Sequence, residues 1–306
     1  MSIAEMVRGT RRRYVKKGGR TLLQTLDRLL GKQSLVGDRP FFDETQFAYV
    51  DTLEKNWKAI RAELDELLES PEQIPAFHQI SPDQKRISKG DNWKTYMLRV
   101  FGHPMPTNCA RCPETARVLD SIPSLQNAWF SILAPGYHIP PHRGVTKGLL
   151  RCHLALIVPQ KKELCRIRVD NQIRHWEEGK CMVFDDTFDH EVWNETDQRR
   201  VVLFLDIERP LSLLGRVVNK TILHLVQMTA YVKDAKKNLA SWEERLASAA
   251  QQADGFQRDA TSDLPLKEIP ARTDRTHKRA AHLPPPPCAA KAIGTEKGGP
   301  DRIRSQ

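Results

Sequence analysis

The sequence has no long hydrophobic run. Its most apolar stretch, Leu211–Val232, is interrupted by Arg216, Asn219, Lys220, His224 and Gln227, so it reads as an amphipathic helix rather than a membrane span. The six cysteines in 306 residues fall far short of a disulfide scaffold, and Cys152, Cys165 and Cys181 lie in apolar runs where a free thiol behaves as a small hydrophobe. The first residues enter a basic segment without an apolar secretory core, and together these features suggest a reduced, cytoplasmic setting. A structural zinc site is not supported either: Cys109-Ala-Arg-Cys112, with His103 upstream, has no second pair behind it.

The centre of the chain lacks net charge. Of the net +10, residues 1–33 hold +7 and residues 251–306 hold +3, which leaves 34–250 neutral. A neutral centre without a recognition motif argues against nucleic acid as a partner. In the arm 1–33, Leu22, Leu23, Leu26, Leu29 and Leu30 are spaced for one face of a short helix. Such a basic amphipathic arm can lie on an anionic membrane, peripherally at its inner face, or pack on the domain with its charges solvated.

What is present divides the rest of the chain. Leu53, Trp57, Ile60, Leu64, Leu67 and Leu68 recur at helical spacing and predict a helix over 52–69, with Asp51-Thr-Leu-Glu54 as a capping box. Residues 70–95, punctuated by Pro71, Pro75 and Pro82, read as loop, and Glu114–Ile122 as a short helix. From Asn127, short apolar runs follow one another at 127–133, 149–158, 164–170, 181–184, 191–193 and 200–207. With no helical pattern between them, they predict an antiparallel sandwich or barrel, with Lys161-Lys162 in a hairpin turn. After Pro210 the pattern is helical to about residue 247, and the polar tail 251–306, with Pro284–Pro287, reads as disordered. The expected organisation is an arm 1–33, a domain 34–210 with its β core at 127–210, a helical segment 211–250 and the tail.

The β region gathers chemistry-bearing residues. His138, His142, His153, His175 and His190 lie in it, and two histidines from separate strands of a small barrel can converge on a metal. Spacing alone does not separate this from a structural or surface histidine. Strand alternation puts Arg151 and His153 on one face and Leu150, Cys152 and Leu154 on the other. Arg200 shares a face with Val202 and Phe204. Burying a guanidinium without an anion is costly, so the anion is either a ligand or, for Arg151, an acid such as Asp185; alternatively Arg200 is exposed at a strand end.

Four segments match a known family. Phe130-Ser-Ile-Leu-Ala-Pro-Gly-Tyr-His-Ile-Pro-Pro-His142-Arg-Gly, Leu150-Arg-Cys-His-Leu154, Trp176-Glu-Glu-Gly179 and Val183-Phe-Asp-Asp-Thr-Phe-Asp-His-Glu-Val-Trp193 together resemble the aspartyl/asparaginyl β-hydroxylases, from about Asn127 to Pro210. The resemblance implies a mainly β fold, a cupin-like double-stranded β-helix (jelly roll) with flanking helices. It implies an enzyme, a dioxygenase that uses Fe(II), 2-oxoglutarate and O₂. His142 and His190 match the iron ligands, Arg151 and His153 the pair at the metal-proximal carboxylate of 2-oxoglutarate, and Arg200, assisted by Ser131, the grip on its distal carboxylate. A planar guanidinium suits a carboxylate, with two parallel hydrogen bonds. Gly144 stands where most non-haem iron oxygenases carry their acidic ligand, a gap typical of this family. Asp185, Asp186 and Asp189 then read as supports of the site or turn residues.

The resemblance implies one of two substrates: a lipid acyl chain, 2-hydroxylated as in the bacterial lipid A and ornithine-lipid hydroxylase branch, or Asp and Asn residues in proteins. Leu203-Phe-Leu-Asp-Ile-Glu-Arg-Pro210, the basic arm and the apolar helix lean toward lipid; His-Glu-Val-Trp193 looks closer to the peptide branch. A cupin-like module that binds metal or a small acid without turnover is the non-enzymatic alternative.

Overall fold

A computed structural model describes residues 25–227 together with 238, 241 and 242. The arm up to residue 24, most of the helical segment after Gln227 and the tail from 251 therefore lie outside the described residues. Among the described residues ten strands form two sheets. They are β1 (Trp93–Val100), β2 (His103–Pro104), β3 (Leu125–Leu133), β4 (Tyr137–His142), β5 (Leu149–Ile157), β6 (Cys165–Val169), β7 (Gln172–His175), β8 (Cys181–Phe184), β9 (His190–Asn194) and β10 (Arg200–Glu208). The larger sheet runs β2-β1-β3-β10-β5-β8 and the smaller β4-β9-β6-β7. From β3 onward the chain passes back and forth between the sheets, and every paired strand is antiparallel. That strand order is a double-stranded β-helix, as the resemblance implied.

Helices close the outside: α1 (Ala48–Leu67), the short α2 (Phe77–Ile80) and α3 (Pro106–Arg111), α4 (Pro113–Asp120) and α5 (Leu213–Gln227). Leu53, Ile60, Leu64 and Leu67 of α1 and Val118 and Leu119 of α4 pack on Leu150, Cys152, Leu154, Val201, Leu203 and Leu205 of the larger sheet. A second core lies between the sheets and includes Trp93, Trp129, Ile139, Ile167, Trp176, Phe184, Val192 and Phe204.

Local expectations are corrected in several places. Helix α1 begins at Ala48 with Phe47 as N-cap, so Asp51 is inside the first turn, paired to Lys55, and does not cap. Segment 70–95 is not all loop, since it holds α2, two 3₁₀ turns and the start of β1. The Lys161-Lys162 stretch leads through a 3₁₀ turn from one sheet to the other and is no hairpin. Residues 25–32 are helical, and Leu26 and Leu30 pack on Leu211, Val218, Ile222 and Val226, so the described end of the arm is joined to α5. No helix among the described residues is long and apolar enough to cross a membrane.

Candidate active site

Two prolines make the site possible. Pro140 and Pro141 have no N–H to give the β4–β9 ladder, and the register shifts there, from Ile139 opposite Val192 to His142 opposite His190. The bulge brings the imidazoles to a centroid separation of 4.1 Å. His142 Nδ1 bonds the Pro140 carbonyl at 2.9 Å, and His190 Nδ1 bonds the Phe188 carbonyl at 3.0 Å. A carbonyl only accepts, so both Nδ1 atoms carry the proton and both Nε2 atoms keep a lone pair. Burial lowers the His142 pKa to about 4 and that of His190 well below the usual histidine range. Two neutral imidazoles side by side can hold a cation. No group of three or more His, Cys, Asp or Glu side chains able to hold a metal ion occurs among the described residues, so the pair lacks a third protein ligand.

The loop carrying His190 is pinned from below. Asp185 accepts from Thr187 N at 2.9 Å and from its hydroxyl, and its other oxygen pairs with Lys147 at 3.0 Å and with Arg209. Asp189 pairs with Arg168 at 3.0 Å. Asp186 pairs with Arg151 at 2.8 Å. The three acids thus hold basic side chains and the turn, while backbone carbonyls orient the imidazoles. A Cβ on Gly144 would stand 2.2 Å from the Asp186 carboxylate, so only glycine fits beside it.

The inner face of the larger sheet carries the remaining residues. Phe204 is opposite His153, Asp206 opposite Arg151, and Val202 opposite both Ala155 and Ser131. Arg151 lies between Asp186 and Asp206, with Nε 3.1 Å from the latter, and stacks on Phe204. The expected alternative partner, Asp185, belongs to Arg209 and Lys147. Both ring nitrogens of His153 lack a hydrogen-bond partner, and Phe184, Phe204 and Trp176 surround the ring. Arg200 is 1% exposed, its Nε and Nη1 have no partner, and its guanidinium lies 4.7 Å over Trp176. Burial pulls its pKa down to about 10. It is not an exposed strand end. Ser131 accepts a bond from Trp93 Nε1 at 3.0 Å and keeps its own proton to donate.

A cavity of about 400 Å³ opens beside His142, and His190, His153, Arg200 and Ser131 are not among its lining residues. His142, Arg151, Asp186 and Asp206 line one part of it; Phe77, Ile80, Ile87, Trp93, Met97 and Trp129 supply apolar wall, and Leu223 and Val226 of α5 complete it. Sequence reasoning missed the wall from 77–97 because three prolines marked that stretch as loop. The alternation in Trp93-Lys-Thr-Tyr-Met-Leu-Arg-Val100 was the available signal. The partners Asp206 and Trp176 were also not foreseen, since only the folded register puts them against the arginines.

The family model described as aspartyl/asparaginyl β-hydroxylase matches residues 54–210. The chain belongs to that family. It is an enzyme of the hydroxylase class. An ornithine lipid ester-linked acyl 2-hydroxylase from Rhizobium tropici is 42% identical over 220 residues, covering 72% of this chain and 78% of that one. The human aspartyl/asparaginyl β-hydroxylase is 33% identical over 166 residues, which span 53% of this chain and 21% of the human protein. A solved cupin domain of a transcriptional regulator from Enterobacter cloacae aligns with 38% of this chain and 96% of that one at 14% identity, with a TM-score of 0.27, too low to add to the strand order.

Proposed function

We propose that this chain 2-hydroxylates a lipid acyl chain, with Fe(II) as metal, 2-oxoglutarate as co-substrate and O₂ as oxidant. The observation that carries the reading is the apolar cavity ending at His142 and Arg151. The likeness to the R. tropici lipid hydroxylase supports it. So do the orphaned polar atoms of Arg200 and His153, which fit a buried dianion: a protein that leaves a guanidinium enclosed and unpaired gains only when an anion arrives.

In this reading His142 and His190 hold the metal through Nε2, with tautomers fixed by the Pro140 and Phe188 carbonyls. Arg200 takes the distal carboxylate of 2-oxoglutarate against the Trp176 ring, and the Ser131 hydroxyl adds a donor. His153 and Arg151 face the keto-acid end, Arg151 held in orientation by Asp186 and Asp206. When bound, iron with 2-oxoglutarate and O₂ supplies the oxidation: one oxygen atom enters a C–H bond, the other goes to succinate, and CO₂ leaves. The aromatic and aliphatic wall excludes water and lines up the chain so that the carbon beside the acyl carbonyl meets the histidines. The basic arm and α5 suit peripheral contact with an anionic membrane on its cytoplasmic side.

The test is mass spectrometry of total lipid from cells expressing the wild-type chain or His190→Ala. A lipid heavier by one oxygen in the wild type alone is the expected result. No such lipid, with the purified protein still converting 2-oxoglutarate, would redirect the reading to β-hydroxylation of Asp or Asn residues.

A further inference from the structure

Seven large apolar side chains are more than half exposed among the described residues: Leu35, Val145, Ile173, Leu213, Leu214, Val217 and Leu225. Six of these seven lie on α5 or on two loops next to it. Leu35 N bonds the Pro210 carbonyl, and Ser212 N at the start of α5 bonds Gln33, which fixes the first loop there. Val145 lines the same cavity as Leu223 and Val226. The other exposed apolar residue, Ile173, is on β7.

Helix α5 is therefore apolar on two sides. Gly215, Asn219, Ile222 and Leu223 face the protein, with the Asn219 amide bonded to the Gly148 carbonyl at 3.1 Å. At about 100° per residue, Leu213, Val217, Leu214 and Leu225 fall within roughly a third of a turn on the outer side, which they share with Thr221 and His224, and Arg216 and Lys220 border one edge of it. A surface helix ordinarily turns a polar face outward, and an exposed apolar stripe of this kind marks an interaction surface. Charge selects among partners. No acidic residue occurs from Arg209 to Lys233, and residues 1–24, which lead into the helical segment packed on α5, have a net charge of +6. A mainly apolar stripe with cations along one edge and no acid, next to a basic segment, suits an anionic lipid surface; a protein partner has no need of charge of one sign alone.

We propose that the outer face of α5, with Leu35 and Val145, docks into the acyl boundary of an anionic leaflet beside the cavity mouth. The inference deepens the lipid reading and rests on it for its purpose, but its test does not require the substrate. Leu213, Leu214, Val217 and Leu225 line no part of the cavity, so they can be changed without touching the site.

The full chain and a Leu213→Ser/Leu214→Ser/Val217→Ser/Leu225→Ser variant would be floated with phosphatidylcholine vesicles, with and without phosphatidylglycerol. The expected result is binding to the anionic vesicles that falls at least about tenfold in the variant, whose far-ultraviolet circular dichroism and thermal shift with 2-oxoglutarate stay as in the wild type. Undiminished binding of that variant overturns the proposal. Should the variant not fold, Val217→Trp serves instead: its added emission moves to the blue when anionic vesicles are mixed in. A Val217→Trp emission indifferent to vesicles, or a dimer in sedimentation that the serine variant dissolves, assigns the face to the chain itself or to a second copy and sinks the idea. Vesicle binding lost in the serine variant, with no oxygenated lipid in wild-type cells, leaves docking intact and rejects only the acyl substrate.

Discussion

The two faces of the larger sheet are built on the same strands and obey different rules. Outward, β5 and β10 present Leu150, Cys152, Leu154, Val201, Leu203 and Leu205, all buried under α1 and α4. Inward, the alternate positions give Arg151, His153, Arg200 and Asp206 among Ala155, Val202 and Phe204. Both faces are mostly buried, although Arg151 reaches the cavity, yet only the outer one is satisfied as it stands. The inner face retains an enclosed guanidinium and an imidazole without hydrogen-bond partners. Packing alone does not account for that, since a hydrocarbon at either position would cost less. One face stores stability, and the other, in the proposed function, gives some up for binding.

Substituting Arg200→Met breaks this contrast most sharply. Turnover of 2-oxoglutarate should drop to background, and the stabilisation that the ligand gives the wild type, about 2.7 kcal/mol at a hundredfold excess over Kd, should vanish from thermal melts. The ligand-free variant should be as stable as the wild type, or more so by about 1–4 kcal/mol. A large loss of ligand-free stability would show that Arg200 is structural. On the outer face, Leu154→Ala should do the reverse, costing about 2–5 kcal/mol in urea unfolding while the folded fraction still binds 2-oxoglutarate.

A smaller effect is expected from Gly144→Ala. Its Cβ would overlap the Asp186 carboxylate, so the loop must yield at a cost of about 1–3 kcal/mol, with turnover reduced more than stability. Unchanged turnover would mean that Asp186 can move freely. The smallest effect concerns acid. Burial first, then Arg200 and Arg151, hold the folded-state pKa of His153 well below its unfolded value of about 6.5. Below that value the unfolded chain takes up a proton that the folded one refuses, so this residue's contribution to stability is lost as pH falls. His153→Leu should flatten the decline between about pH 6.5 and pH 5 by up to ~1.4 kcal/mol per pH unit. Parallel slopes in denaturant titrations would contradict the depressed pKa.

Much of this was legible before folding. Period-two alternation separates the faces of β5 and β10, because successive side chains on a strand must point opposite ways, and helical spacing finds α1. The motif residues name His142 and His190. Alternation, however, fails where prolines interrupt it. Strand β4 was not visible as a strand, although its Pro140-Pro141 bulge sets His142 against His190. Strand β1 was hidden for a similar reason, at the end of a proline-marked stretch.

The sequence by itself determined which residues could share a face, which of them could bind an anion or a metal, and that the excess charge belongs to the ends. Only the tertiary structure decided the partners. It set Arg151 between Asp186 and Asp206, left Arg200 alone over Trp176, and fitted the Asp186 carboxylate into the space beside Gly144. The physical reason is range: alternation is fixed by neighbouring residues along one strand, whereas register between strands far apart in the chain is chosen by the whole core at once.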